Sequence, residues 1–181
     1  YGRVYHEFSG ESSVTSRGLF RATGTGSRLT IGTKGFINEG TIEAVDGGLV
    51  AVGYLVSGDH STWSNRGVLR VVNATLALTG WFTLEEGTII DRQGNSTIEF
   101  GGRLDNTGRT LTFNASTGSW TASNATIVGG TLNLSDGQGF LFKPPPSSGR
   151  LTLDGLTING NLSLSGNAFI GFQNNIELNG E

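Results

Sequence analysis

The chain contains no cysteine and no methionine, and lysine occurs only twice in its 181 residues, at Lys34 and Lys143. Without cysteine, neither a disulfide nor a cysteine-ligated metal site can form. The net charge of −3 and the shortage of lysine leave no basic face, so nucleic acid is not an expected partner. Because residue 1 is a tyrosine, we expect the chain to be a segment of a longer product.

Charged residues and long apolar segments are scarce as well. Charged residues make up 15% of the chain, against about 25% in an ordinary soluble domain. No apolar run approaches the roughly 18 residues of a membrane-spanning helix, so membrane insertion is not expected. No window of ten or more residues has the i, i+3, i+4, i+7 spacing of a helix. The hydrophobic residues alternate instead with Thr, Ser and Asn, which indicates short, half-buried strands.

One short phrase recurs along the chain. It consists of an asparagine, a variable residue, a glycine and the start of an aliphatic strand, and it stands at 38–42, 65–69 and 106–111. Glycines in this phase are 27, 20, 21 and 22 residues apart, at Gly40, Gly67, Gly87, Gly108 and Gly130. A strand-containing repeat of roughly 20 to 27 residues is typical of a solenoid, in which each repeat buries its apolar face against its neighbours.

The clearest repeat lies near the C-terminus, where three short strands, 151–153, 156–158 and 162–164, are separated by Gly and Asn corners. Three strands and three corners predict a roughly triangular coil. We therefore predict an all-β, single-domain parallel β-helix, or β-solenoid, with coils of about 20–25 residues and essentially no helix. Inward-facing aliphatic pairs are predicted at Ile42/Ala44, Leu69/Val71, Leu76/Leu78, Ile98/Phe100, Leu111/Phe113, Leu132/Leu134 and Ile176/Leu178.

The repeat divides the chain into two parts. Residues 1–35 match the phrase poorly and are interpreted as an irregular N-terminal segment or a first coil, whereas residues 36–181 contain the solenoid repeats. Residues 143–148, Lys-Pro-Pro-Pro-Ser-Ser, cannot supply backbone N–H groups to a strand ladder and are predicted to form a surface loop.

Few residues suggest a binding or catalytic site. Trp63, Trp81 and Trp120 are candidates for stacking on sugar rings, with core packing as the alternative. The adjacent residues Asp59-His60 and Glu85-Glu86 lack the geometry of a catalytic pair, since neighbouring strand residues face opposite ways. The isolated His6 has no evident partner. Six aspartates without a common phase do not predict a calcium row: Asp46, Asp59, Asp91, Asp105, Asp136 and Asp154. We predict no catalytic residue, metal or cofactor.

Several phrases resemble the repeats of large secreted bacterial β-helix proteins, including autotransporter passengers and haemagglutinin-like adhesins. These phrases are Asn-x-Gly-Thr-Ile/Leu, Gly-Gly-Thr-Leu-Asn-Leu at 129–134 and the run at 151–162, and the resemblance spans about residues 36–180. It implies export, an extracellular or cell-surface location and a structural or adhesive role. Pectate lyases and related polysaccharide enzymes share this fold, but their catalytic aspartate cluster with neighbouring Arg and Lys has no match here.

The first functional hypothesis is a non-enzymatic extracellular structural module, either a stalk segment of a surface protein or a filament subunit. A glycan-binding adhesin and a polysaccharide lyase or hydrolase are the alternatives, with extracellular polysaccharide as their partner. Both ends of the chain lack a capping helix, so we expect head-to-tail stacking on itself or on further repeats of the same polypeptide. The residues expected at this contact are Tyr1, Val4, Tyr5, Ile176 and Leu178.

Overall fold

The computed structural model describes residues 2–5, 13–56, 59–142, 149–165 and 168–180. Within these residues the parallel strands stack in about seven coils and no helix is present. The prediction of an all-β parallel solenoid is therefore confirmed. The chain divides into two compact units, Tyr1–Ile98 and Glu99–Glu181.

The first unit has three parallel ladders, one for each side of the coil. Ladder I contains β2 (Val14–Ser16), β5 (Phe36–Asn38), β10 (Thr62–Asn65) and the end of β12 (Thr75–Leu84). Ladder II contains β3 (Leu19–Thr23), β6 (Thr41–Val45), β11 (Val68–Val72) and β13 (Ile89–Gln93). Ladder III contains β1 (Gly2–Tyr5), β4 (Arg28–Gly32), β7 (Leu49–Val52) and the start of β12. One antiparallel hairpin joins β8 (Leu55–Val56) to β9 (Asp59–His60).

The second unit has the same three ladders, named by their position in the coil. Ladder I contains the end of β14 (Thr97–Asp105), β17 (Ala125–Val128), β20 (Gly149–Asp154) and β23 (Ala168–Gln173). Ladder II contains β15 (Thr110–Phe113), β18 (Thr131–Leu134), β21 (Thr157–Asn159) and β24 (Glu177–Asn179). Ladder III contains β16 (Trp120–Ala122), β19 (Phe140–Phe142) and β22 (Leu164–Ser165).

The core of each unit is built from the inward row of each strand, as the alternation in the sequence predicts. In ladder II of the first unit, Ile42, Ala44, Leu69 and Val71 are each 0% exposed. Successive side chains of a strand face opposite sides, so every second residue reaches this interior. The predicted inward pair Ile176/Leu178 is not buried, because Leu178 of the last strand is 58% exposed and Ile176 is partly exposed.

The corner between ladders I and II explains the recurring asparagine and glycine. Asn38 and Asn65 are fully buried, and the Asn38 side-chain amide donates to Oδ1 of Asn65 at 2.6 Å. Gly67 lies so close to the coil before it that an added Cβ would overlap the carbonyl oxygen of Gly40. Stacked amides satisfy buried polar groups here, and glycine permits the close approach of two backbones.

The outward face of ladder II in the first unit carries charges of alternating sign. Arg21, Glu43, Arg70 and Asp91 lie side by side in register. Glu43, which is only 3% exposed, contacts Arg21 on one side and Arg70 on the other, the latter at 3.2 Å. Parallel pairing places equivalent residues next to one another, so alternating signs avoid repulsion along the row.

The N-terminal part of the chain enters these ladders early. Strands β2, β3 and β4, which lie between residues 14 and 32, pair in parallel with β5, β6 and β7. The coil phase therefore extends back from residue 36, and Gly18 occupies the corner one coil before Gly40. The predicted proline-rich loop at 143–148 lies outside the described residues.

Candidate functional site

Two of the three tryptophans belong to the core. Trp63 is 4% exposed and its Nε1–H donates to the carbonyl of Thr79 at 2.7 Å. Trp120 is 0% exposed and packs edge-on against Phe113, with ring centroids 5.2 Å apart. Neither ring offers a face to a sugar, because both are inward residues of their strands. Of the three candidates for stacking on sugar rings, only Trp81 has an exposed ring, with 47% of the residue accessible. The prediction is therefore corrected for Trp63 and Trp120.

Trp81 lies against the β8–β9 hairpin. Its ring stacks on His60 with centroids 3.9 Å apart and an interplanar angle of 24°. The Asp59 carboxylate beside His60 accepts the backbone N–H of that residue at 2.9 Å. Asp59 and His60 thus do not form the carboxylate-to-imidazole contact that a catalytic base requires.

Asp59 instead belongs to a small polar network. Its carboxylate contacts Lys34 Nζ at 2.8 Å and accepts the Tyr54 hydroxyl at 3.0 Å. The hydrogen bond from Lys34 is the main cause that holds the pKa of Asp59 below its usual value. The same bond raises the pKa of Lys34, and burial raises that of Tyr54. This network ties the hairpin to the preceding corner of the coil.

The remaining acidic candidates are dispersed. Glu85 accepts the Thr83 hydroxyl at 2.8 Å, and Glu86 is exposed in the next turn. The Thr107 hydroxyl and backbone N–H hold the pKa of Asp105 below its usual value. Among the described residues, no three His, Asp or Glu side chains converge as metal ligands. His6 lies outside those residues.

The last coil of the second unit exposes part of its core. Phe172 is in register with the buried Leu153, and Leu178 is in register with the buried Ile158. Yet Phe172 is 54% exposed and Leu178 is 58% exposed. These two side chains occupy core positions that no further coil of the described chain covers.

The backbone edge of this coil is open in the same direction. Glu177 N–H donates back to the carbonyl of Leu156 at 3.1 Å, and the carbonyl of Asn179 accepts from Gly160 at 3.2 Å. Backbone groups of alternate strand residues point to opposite edges, so the N–H and C=O of Leu178 face the open side. Of the other predicted end residues, Ile176 precedes β24 and is partly exposed.

The first coil of the first unit presents the opposite edge. Strands β2 and β3 each pair with one described strand only, β5 and β6. Val4 and Tyr5 lie in β1, which pairs with β4, and Tyr1 lies outside the described residues. Sequence reasoning missed Gly18 at this end, although it precedes Gly40 by 22 residues and so keeps the repeat.

No protein-family model, curated protein or solved structure matches the chain significantly. The described residues also contain no helix of the length and hydropathy that crossing a membrane requires. The resemblance to secreted bacterial β-helix proteins thus stays a sequence-based expectation.

Proposed function

We propose that this protein is a non-enzymatic extracellular structural module whose end coils are continued by further coils. The continuing coil belongs either to the same polypeptide, as in the stalk of a surface protein, or to another subunit, as in a filament. The extracellular location rests on the resemblance of its repeats to those of secreted β-helix proteins.

The uncovered last coil is the observation that supports this proposal. Phe172 and Leu178 are more than half exposed at positions that are fully buried one coil earlier. Covering a Phe or Leu side chain is worth about 1.5–3 kcal/mol. An open strand edge beside them offers backbone donors and acceptors to a further parallel strand. Such an end favours addition of another coil over exposure to water.

Substitution of Leu178 tests the proposal. In Leu178→Pro the open edge loses its N–H donor, whereas the ladder bonds of Glu177 and Asn179 to the coil before remain. We expect the wild-type chain to form concentration-dependent elongated assemblies in light scattering and electron microscopy, and the proline variant to remain monomeric. Leu178→Ile, which keeps both the N–H and the apolar side chain, is the matched control and should assemble.

Two results would contradict this function. One is assembly of Leu178→Pro that equals assembly of the wild-type chain, which would show that no further strand pairs with the open edge of β24. The other is turnover on a panel of polysaccharides that is lost when Asp59 or Glu85 is replaced by alanine.

A further inference from the structure

We infer that the coil that covers the last coil is the first coil of a second copy of this chain, docked so that β24 lies beside β3. The inference rests on the proposed function and names its partner and register. Both strands follow the corner between ladders I and II, so continuing the ladder places Glu177 beside Leu19 and Leu178 beside Phe20. Leu178 then covers Phe20, which is partly exposed in the first coil.

Charge complementarity favours this occupant. Two rows of alternating charge run through the first unit, Arg17–Glu39–Arg66 and Arg21–Glu43–Arg70, and both begin with an arginine on β3 or its corner. The Arg17 side chain is 78% exposed and that of Arg21 is 49% exposed. Glu177, beside Leu19, would lie diagonally between these arginines, within reach of long side chains. It would place an acid close to the arginine that begins each row.

The corner glycines give a second, steric criterion. A Cβ on Gly40 would overlap the carbonyl of Gly18, and a Cβ on Gly67 would overlap that of Gly40. A Cβ on Gly18 meets no atom of the described residues within 4 Å, and the φ angle of this residue lies outside the left-handed region. In the proposed stack, the same geometry would bring the Ile176 carbonyl in the last coil of one copy to the open space beside Gly18 of the other copy. Gly18→Ala is thus harmless to a single chain and obstructive to the stack.

Three variants of the full chain test this contact by sedimentation velocity over a concentration series. We expect Gly18→Ala to leave the free energy of unfolding in urea unchanged or slightly higher, yet to lower the association constant about tenfold. Glu177→Gln should lower it about two- to fivefold and weaken its dependence on salt. Glu177→Arg should lower it about tenfold or more through repulsion. Glu86→Arg, the same charge change in an exposed turn, is the control and should assemble like wild type.

The outcomes separate this contact from the general proposal. If Leu178→Pro prevents assembly but Gly18→Ala and Glu177→Arg assemble normally, the ends do stack and this register is wrong. If the wild-type chain does not associate with itself, a second copy is not the occupant. Reduced assembly of Gly18→Ala, Glu177→Gln and Glu177→Arg, with normal assembly of Glu86→Arg, would support the contact.

Discussion

At the scale of single residues, burial separates side chains that look equivalent in sequence. Trp63 follows Thr62 in β10 and Trp81 follows Gly80 within β12, but the first ring is in the core and the second is half exposed. The two core tryptophans differ again in their indole N–H. That of Trp63 donates to the Thr79 carbonyl, whereas that of Trp120 has no partner in the described part of the chain.

This difference predicts unequal costs for the same substitution. Trp63→Phe and Trp120→Phe remove similar volumes from the core, but only the first leaves a carbonyl that had been paired. We expect Trp63→Phe to lower the free energy of unfolding by about 1–3 kcal/mol more than Trp120→Phe does. Urea denaturation of both variants measures the difference. Equal losses would mean that the Trp63 hydrogen bond contributes nothing.

At the scale of elements, the β8–β9 hairpin is attached by polar contacts on one side and by an aromatic stack on the other. The ion pair of Lys34 with Asp59 and the ring contact of His60 with Trp81 join the hairpin to different coils. A two-stranded hairpin of this length is marginal by itself, so these contacts decide its position.

The ion pair predicts how the hairpin responds to acid. The folded-state pKa of Asp59 is depressed, chiefly by Lys34. Its contribution to stability is therefore present above the unfolded carboxyl pKa, about 3.9, and is lost as the pH falls through the lower folded value.

Carboxyl-carbon NMR titration measures this effect directly. In Lys34→Gln the Asp59 midpoint should rise toward its ordinary value, while Arg150→Gln, in the second unit, should leave it unchanged. An unaltered Asp59 midpoint in Lys34→Gln would show that the ion pair is not the cause.

At the scale of the whole molecule, stability depends on how closely successive coils approach. Each strand can bury its inward row only against the neighbouring coils, so the corner that sets their spacing affects every ladder. Gly40 and Gly67 occupy this corner, and neither has a left-handed φ angle. Their requirement for glycine comes from the neighbouring coil alone.

Gly67→Ala should therefore destabilise the fold where Gly18→Ala does not. The added methyl group overlaps a backbone carbonyl, which cannot move without disturbing the ladder. We expect a loss of about 2–3 kcal/mol in the free energy of unfolding, measured in urea against the Gly18→Ala variant. Similar unfolding curves for the two variants would show that the coils tolerate wider spacing.

Much of the fold follows from the sequence itself. The alternation in segments such as 41–45 and 68–72 assigns inward and outward residues without knowledge of any partner. The phase of the corner glycines predicts parallel stacking, because only a repeated coil gives each strand an equivalent neighbour. The same repetition stacks the corner asparagine side chains, since Asn38 and Asn65 hold the same corner position.

The tertiary structure decided what the pattern leaves open. Leu178 and Leu132 both precede an asparagine at the same position of ladder II, yet the first is 58% exposed and the second is buried. Local sequence determines which side of a strand a residue takes, but burial depends on whether another coil covers that side. For Gly18, Glu177 and Leu178, that covering coil defines the contact we propose.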